Sequence, residues 1–309
     1  MKNKITIATR KSALALWQAE YVASRLRKQY PALTVELLPV STKGDEILQM
    51  PLAEIGGKGL FIKELEYLLL EGKADLAVHS LKDVPAELPE PFMLAAVTER
   101  EDPRDAFVSL TYDTVEALPA GAVVGTSSLR RQSQLLHRRP DLSVRSLRGN
   151  VQTRLKKLDE GQYDAVILAA AGLVRLGLAG RIRSYLSTDE SIPAAGQGVM
   201  AVEIRKSDQE LASLLSFLHD EKAAASIRAE RAFLGEVGGD CKVPAGAFAE
   251  AGAAGNLTVH AFISSTDGRR FYRTALRGRA EDAASLGKSA AETLLAEGGR
   301  EVLEELIGK

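Results

Sequence analysis

A single cysteine, Cys241, stands among 309 residues. One thiol closes no internal disulfide and builds no Cys-rich zinc site, and it suits a reducing compartment. Histidine is scarce too: His79, His137, His219 and His260 lie far apart, so no spacing suggests a metal-binding pair. Aromatic residues make up 5% of the chain, too few for the stacking platforms of a single-stranded nucleic-acid binder. Neither sign of charge is in excess. The 40 Lys plus Arg nearly balance 41 Asp plus Glu, for a net charge of −1. There is thus no global pull toward nucleic acid or an anionic membrane, and any anion site must be built locally. No apolar run reaches bilayer length. After Met1-Lys2-Asn3-Lys4 no signal-peptide core develops before Arg10 and Lys11 intervene. The expectation is a cytoplasmic protein with no membrane partner. Phosphate-loop motifs, G-x-x-x-x-G-K-[ST] or G-x-G-x-x-G after a strand, are also missing, which argues against a nucleotide cofactor.

What is present describes a folded protein: 45% hydrophobic and 26% charged residues, in a length that suits two or three domains. Residues 4–8 read as a strand. Leu14, Trp17, Tyr21, Val22 and Leu26 give a helix of period 3.6. Strands over 34–40 and 75–79 enclose a helix over 60–70. Such alternation predicts an α/β sheet with helices on both faces. A weak internal echo follows. Leu69-Leu70-Glu71-Gly72 before Asp75-Leu76-Ala77-Val78 is matched by Leu158-Asp159-Glu160-Gly161 before Asp164-Ala165-Val166-Ile167. Each reads as a helix end, a Gly stop and a buried strand. Two similar lobes are expected, residues 1–98 with 199–217 and residues 104–193, with ligand in the cleft between them. Beyond residue 221 come a helix over 221–234, a Gly-rich turn around Cys241, β-like runs over 257–263 and 271–275, and a helical tail. These predict a small α+β domain over 221–309.

Four segments are candidates for chemistry. In Gly125-Thr126-Ser127-Ser128-Leu129-Arg130-Arg131 a strand meets a helix start, where free N–H groups favour an anion; an ordinary N-cap explains the hydroxyls equally well. Between Arg130 and Arg154 there are seven arginines, no lysine and one acid, Asp141. Arginine grips carboxylates with two parallel bonds, so several should converge on a polyanion, with Arg138 and Arg139 the first candidates for plain surface residues. Lys58, within Gly56-Gly57-Lys58-Gly59, belongs either to a mobile lid or to a turn. His79-Ser80-Leu81-Lys82-Asp83-Val84-Pro85 follows a strand and places Lys82 and Asp83 where such folds put ligand contacts, or merely in a surface turn. A carboxylate among cations stays ionised and stabilises developing positive charge. Cys241 sits in Gly238-Gly239-Asp240-Cys241-Lys242-Val243-Pro244, outside any helix or strand pattern and with no histidine near it in sequence to act as its base.

Together with Ala8-Thr9-Arg10-Lys11-Ser12, Arg100-Glu101-Asp102-Pro103-Arg104-Asp105-Ala106, Arg145-Ser146-Leu147-Arg148-Gly149-Asn150-Val151 and Pro193-Ala194-Ala195-Gly196-Gln197-Gly198, these segments resemble the porphobilinogen deaminase family over nearly the whole chain. The resemblance implies an α/β fold of two periplasmic-binding-protein-like lobes (type II) plus a small C-terminal α+β domain. It implies a monomeric transferase with a dipyrromethane cofactor held by a thioether to Cys241. Four porphobilinogens would be added in turn, each losing ammonia, before water releases the linear tetrapyrrole. Asp83 would contact pyrrole N–H groups and stabilise the cationic azafulvene-like species. Arg10, Ser12, Lys58, Ser80, Lys82, Thr126, Ser127, Ser128, Arg130, Arg131, Arg148, Arg154 and Arg175 would hold acetate and propionate groups, with Gln197 near the cleft. Asp240 departs from the small residue the family usually has before its cysteine. The alternative is a non-catalytic two-lobed binder of small anions, in which Cys241 and Asp83 would have no task.

Overall fold

The computed structural model describes residues 2–41, 62–238 and 243–307. The chain opens with strand β1 (Lys4–Arg10), helix α1 (Ala13–Gln29) and strand β2 (Thr34–Val40). Ser12 caps α1 by accepting the Ala15 N–H, and the helix buries Ala15, Ala19, Val22, Ala23 and Leu26 at helical spacing. Helix α2 (Lys63–Leu70) begins later than the stretch predicted over 60–70, whose first two residues lie outside the described ones. Strands β3 (Leu76–Ser80) and β4 (Phe92–Val97) follow.

The middle of the chain supplies β5 (Asp105–Ser109), β6 (Val123–Gly125), α3 (Leu129–Arg138), β7 (Ser143–Arg145), α4 (Val151–Asp159), β8 (Ala165–Ala169), α5 (Ala170–Arg175) and β9 (Ser184–Leu186). The chain then returns through β10 (Met200–Arg205) and α6 (Gln209–Leu215) to the first sheet. The last part holds α7 (Glu221–Glu236), β11 (Ala245–Ala251), β12 (Asn256–Ser264), β13 (Phe271–Arg279), α8 (Ala283–Leu294) and α9 (Arg300–Ile307). Strand β11 was not foreseen. Its Ala-rich sequence has little intrinsic strand preference, and it is a strand because it pairs with β12 over seven residues and packs on α7.

The first two sheets share one design. One runs β2-β1-β3-β10-β4, the other β7-β6-β8-β5-β9. In each, three parallel strands are joined by an antiparallel return strand. The likeness reaches single hydrogen bonds. Gly72 and Gly161 both take positive φ (68° and 73°) to stop the preceding helix. Asp75 and Asp164 each donate their N–H to the neighbouring strand, to Thr6 and Val123. Each carboxylate then accepts the N–H of that same residue, at 2.8 and 2.7 Å. The chain thus forms two type II periplasmic-binding-protein-like lobes and a C-terminal α+β domain with sheet order β11-β12-β13.

The first lobe's core sets Ile5, Ile7, Leu76, Val78, Val202 and Ile204 against α1. The second has a core on each face of its sheet, one around Phe107 and Ile167, the other around Val108, Val166 and Leu168. The third packs Phe233 and Ala229 of α7 and Leu294 of α8 onto Ala247, Val259, Ala261 and Ile263. Two antiparallel segments join the lobes, tied by Thr98 N–H to the Met200 carbonyl and Glu101 N–H to the Gly198 carbonyl, each 3.0 Å. No helix among the described residues is long and apolar enough to cross a membrane.

Candidate functional site

The first lobe contributes the C-terminal ends of β1 and β3. Arg10 closes β1, and Ser80 closes β3 with its hydroxyl accepting from Gln18 Nε2 at 2.9 Å. Leu81–Asp83 then form one 3-10 turn, anchored by Leu81 N–H to the Val199 carbonyl at 3.0 Å. The turn leaves Lys82 half-buried and Asp83 exposed. Arg10, Ser12, Gln18, His79, Ser80 and Asp83 share a small pocket with the apolar Leu14, Ala15, Ile62 and Val78.

The second lobe presents the start of α3. Its three hydroxyls do structural work first. Thr126 Oγ1 accepts the Ser128 N–H, Ser127 Oγ bonds the Leu147 carbonyl at 2.9 Å and Ser146 Oγ, and Ser128 caps the helix at the Arg131 N–H. The capping explanation of Thr-Ser-Ser is thus realised in Ser128. Arg130 and Arg131, in the first turn, both turn inward onto the buried carboxylate of Asp105. Arg131 donates Nε (2.9 Å) and Nη2 (2.7 Å) to Oδ1. Arg130 donates Nη2 to Oδ2 (2.8 Å) and Nη1 to the Ile192 carbonyl (2.6 Å). Ser191 Oγ and Gln197 Nε2 complete the shell at 2.8 and 2.9 Å. Burial opposes ionisation of Asp105, but the two guanidiniums, with hydrogen bonds from Arg131 and Gln197, overrule it and hold the carboxyl well below the usual range. Arg130 and Arg131 are therefore already engaged by Asp105.

Gln197 also bridges the lobes. Its amide nitrogen donates to the Pro103 carbonyl at 2.7 Å, and its oxygen accepts from Lys82 of the first lobe and Arg131 of the second, each at 3.4 Å. Arg175 spans the same junction, donating to the Gly198 carbonyl at 2.6 Å with its guanidinium 5.8 Å from the Trp17 ring centre. Arg154 anchors through Nε to the Gly149 carbonyl at 2.7 Å.

The cations feel one another. Burial, then the charge of Arg131, lowers Lys82 from its ordinary 10.5 to about 8, with Asp83 and Asp105 opposing. Burial and Arg131 likewise bring Arg154 to about 10, against Asp83. Burial lowers Arg148 and Arg175 as well. Lys82, Asp83, Arg131, Arg148 and Arg154 thus form one electrostatic neighbourhood across the cleft, with cations in excess of acids. Such a site favours a ligand with several carboxylates.

Other predicted residues fall elsewhere. Arg138 pairs with Glu116 and Glu190, and Arg139 with Asp141 and the Val115 and Leu118 carbonyls, as suits surface residues. Lys58 and Cys241 lie outside the described residues. Asp105 was given no role by the sequence, although its position at the head of a buried strand is a legible signal for a structural charge. Arg100 and Glu230 were also missed. Glu230, fully buried on α7, accepts from Arg100 Nη2 (2.7 Å), Gly196 N–H (2.7 Å) and Ala249 N–H (2.9 Å). It pins the third domain to both junction segments.

Two α/β lobes of one topology, a cation-rich cleft with an exposed acid, and a third domain pinned to the junction define the class of protein. Two family models match the chain. One is described as porphobilinogen deaminase, dipyromethane cofactor binding domain, over residues 5–213; the other as porphobilinogen deaminase, C-terminal domain, over residues 224–296. The chain belongs to the porphobilinogen deaminase family. Among solved structures it is similar to the methionine-binding protein MetQ (14% identity, 73% of this chain and 95% of that one, TM-score 0.46). It is also similar to the periplasmic VFT2 domain of Bordetella pertussis BvgS (19%, 73% and 88%, 0.41). A third is a TRAP periplasmic solute binding protein from Desulfovibrio salexigens (13%, 72% and 74%, 0.42).

Proposed function

We propose that this chain is a monomeric cytoplasmic hydroxymethylbilane synthase. It would join four porphobilinogens head to tail, with loss of ammonia, and release the linear product by hydrolysis. The observation that carries this reading is the cluster of mutually repelling cations facing Asp83. Each pyrrole of this chemistry bears two carboxylates, and a lengthening chain needs many cations in one cleft.

The same cluster fits a dipyrromethane. Burial, then the charge of Arg131, brings Lys82 to about 8 and Arg154 to about 10, and the four carboxylates of two such pyrroles would favour both cations. When bound by a thioether to Cys241, the group supplies the free pyrrole carbon on which the product is built. Lys82, Arg131, Arg148 and Arg154 would hold acetate and propionate groups, with Arg130 shared with Asp105. Arg10, Ser12 and Ser80, around the first-lobe pocket, would receive the incoming substrate, with Lys58 assigned to the same cleft. Thr126, Ser127, Ser128, Arg175 and Gln197 would fix the opposite wall and the junction. Asp83 would accept pyrrole N–H bonds and stabilise positive charge as ammonia leaves.

Intact mass under denaturing conditions, beside a Cys241→Ser control, tests this reading. A stable increment of two linked pyrroles, absent from the control, is expected. No increment even after incubation with porphobilinogen would overturn it in favour of a non-catalytic anion-binding protein.

A further inference from the structure

Arg231, on α7 of the third domain, lies outside the cleft and outside every motif of the sequence. Its guanidinium reaches into the first lobe. Nη2 donates to the carbonyls of Pro85 (2.7 Å) and Ala86 (2.6 Å), and Nη1 approaches that of Val84 at 3.4 Å. These are the three residues that follow Asp83. Burial lowers the Arg231 pKa, and its hydrogen bonds among the described residues all go to carbonyls. A guanidinium drawn out of water for three carbonyl dipoles costs stability unless the placement of that backbone matters.

After Asp83, Val84 and Leu88 pack in an apolar cluster with Ala224 and Ile227 of α7, but the backbone between them has few hydrogen bonds of its own. Its turn is closed by Val84 N–H to the Leu81 carbonyl at 3.0 Å. Pro85 then offers no N–H, and residues 84–91 contain no helix or strand. Arg231 gathers three successive carbonyls that no strand pairs. Only the planar fork of arginine spans them at once. The adjacent Glu230 holds Arg100 and Gly196 at the lobe junction. Two neighbouring side chains therefore set α7 against both the junction and the Asp83 turn. The same helix runs on toward Cys241, ten residues beyond Arg231 in sequence.

We propose that Arg231 is a positioning residue, holding Asp83 in register with the domain that carries Cys241 by clamping the carbonyls of residues 84–86. The inference rests on the function proposed above.

The holoenzyme and its Arg231→Met and Arg231→Gln variants would be compared by intact mass, thermal midpoint, steady-state kinetics with porphobilinogen, and hydrogen exchange. For Arg231→Met the expected result is unchanged cofactor mass, KM within about threefold, and kcat lowered about tenfold or more, the scale of a small misplacement of a catalytic group. Exchange should quicken in residues 81–90 and not in β3. Arg231→Gln, whose amide keeps two donors, should recover part of kcat even if Arg231→Met folds poorly. A kcat within twofold of wild type in Arg231→Met, or a kcat loss in both variants that vanishes on cooling below their midpoints, would overturn the inference while leaving the deaminase reading intact. A wild type that turns over no porphobilinogen would overturn that reading, and this one with it.

Discussion

At the scale of single residues, chemistry and structure share the same side chains. Asp83 stands exposed in the neighbourhood of Lys82 and Arg154. Asp83→Ala should fold and load its cofactor normally but lose activity about 100-fold or more, measured as porphobilinogen consumption; turnover within a few-fold of wild type would remove Asp83 from the chemistry. Asp105 is the reverse case, an acid with no access to ligand that holds two arginines in place. Asp105→Asn leaves both guanidiniums buried without their counter-charge, which should cost about 3–5 kcal/mol in denaturant unfolding. A loss below about 1 kcal/mol would show that water compensates. Lys82 carries a pH signature. Its folded value of about 8 lies below its ordinary 10.5, so the unfolded chain binds more protons between those values. Stability of the cofactor-free Cys241→Ser protein should therefore rise with pH across that window. Thermal midpoints from pH 7.5 to 10 would show it, and Lys82→Met should flatten the rise.

At the scale of elements, α7 ties the third domain to the first lobe and to the junction between the lobes. It packs on β11 and α8, caps itself with Asp220 at the Ala223 N–H (2.7 Å), and sends Glu230 and Arg231 outward. Its contact with α8 depends on Gly287, where an added Cβ would lie 2.0 Å from the Ala229 carbonyl oxygen. Gly287→Ala should force the helices apart and cost about 1–3 kcal/mol, read as a lower unfolding midpoint of the full chain. An unchanged midpoint would mean that the pair slides without loss. The lobes illustrate economy of another kind: one βα unit, with its Gly stop and its Asp-to-backbone bond, is used twice, and its strand ends face the cleft from both sides.

At the scale of the whole molecule, Lys82, Arg131 and Arg154 lie close enough among the described residues to disfavour one another's charge. Ligand carboxylates should relieve this, so protein carrying the dipyrromethane should melt several degrees above the Cys241→Ser form at low ionic strength. The gap should narrow as salt screens the cations. Equal midpoints at low salt would contradict the assignment of these side chains to the cofactor.

Much of this was legible in the chain itself. Period-3.6 and buried-strand patterns located α1, β2 and β3, and the repeated Leu-x-Glu-Gly stops announced the doubled lobe, because local periodicity and glycine conformation are properties of short segments. The concentration of arginine between 130 and 154 is written in composition, and it is the ground of the anion site proposed above. Partnership was not legible. That Arg130 and Arg131 close on Asp105, that Gln197 joins two lobes, and that Arg231 reaches the backbone beyond Asp83 all depend on residues 25 to 147 positions apart. Arg138 and Arg139 were legible as surface residues, and they pair there, but nothing in the chain showed that Arg131 is taken up by Asp105 while Arg154 is anchored at Gly149. The sequence by itself determined most of the elements, their doubling and where cations concentrate along the chain. Only the tertiary structure decided which charges pair with one another and which neighbours they feel, because that depends on distance and burial, which chain order does not encode.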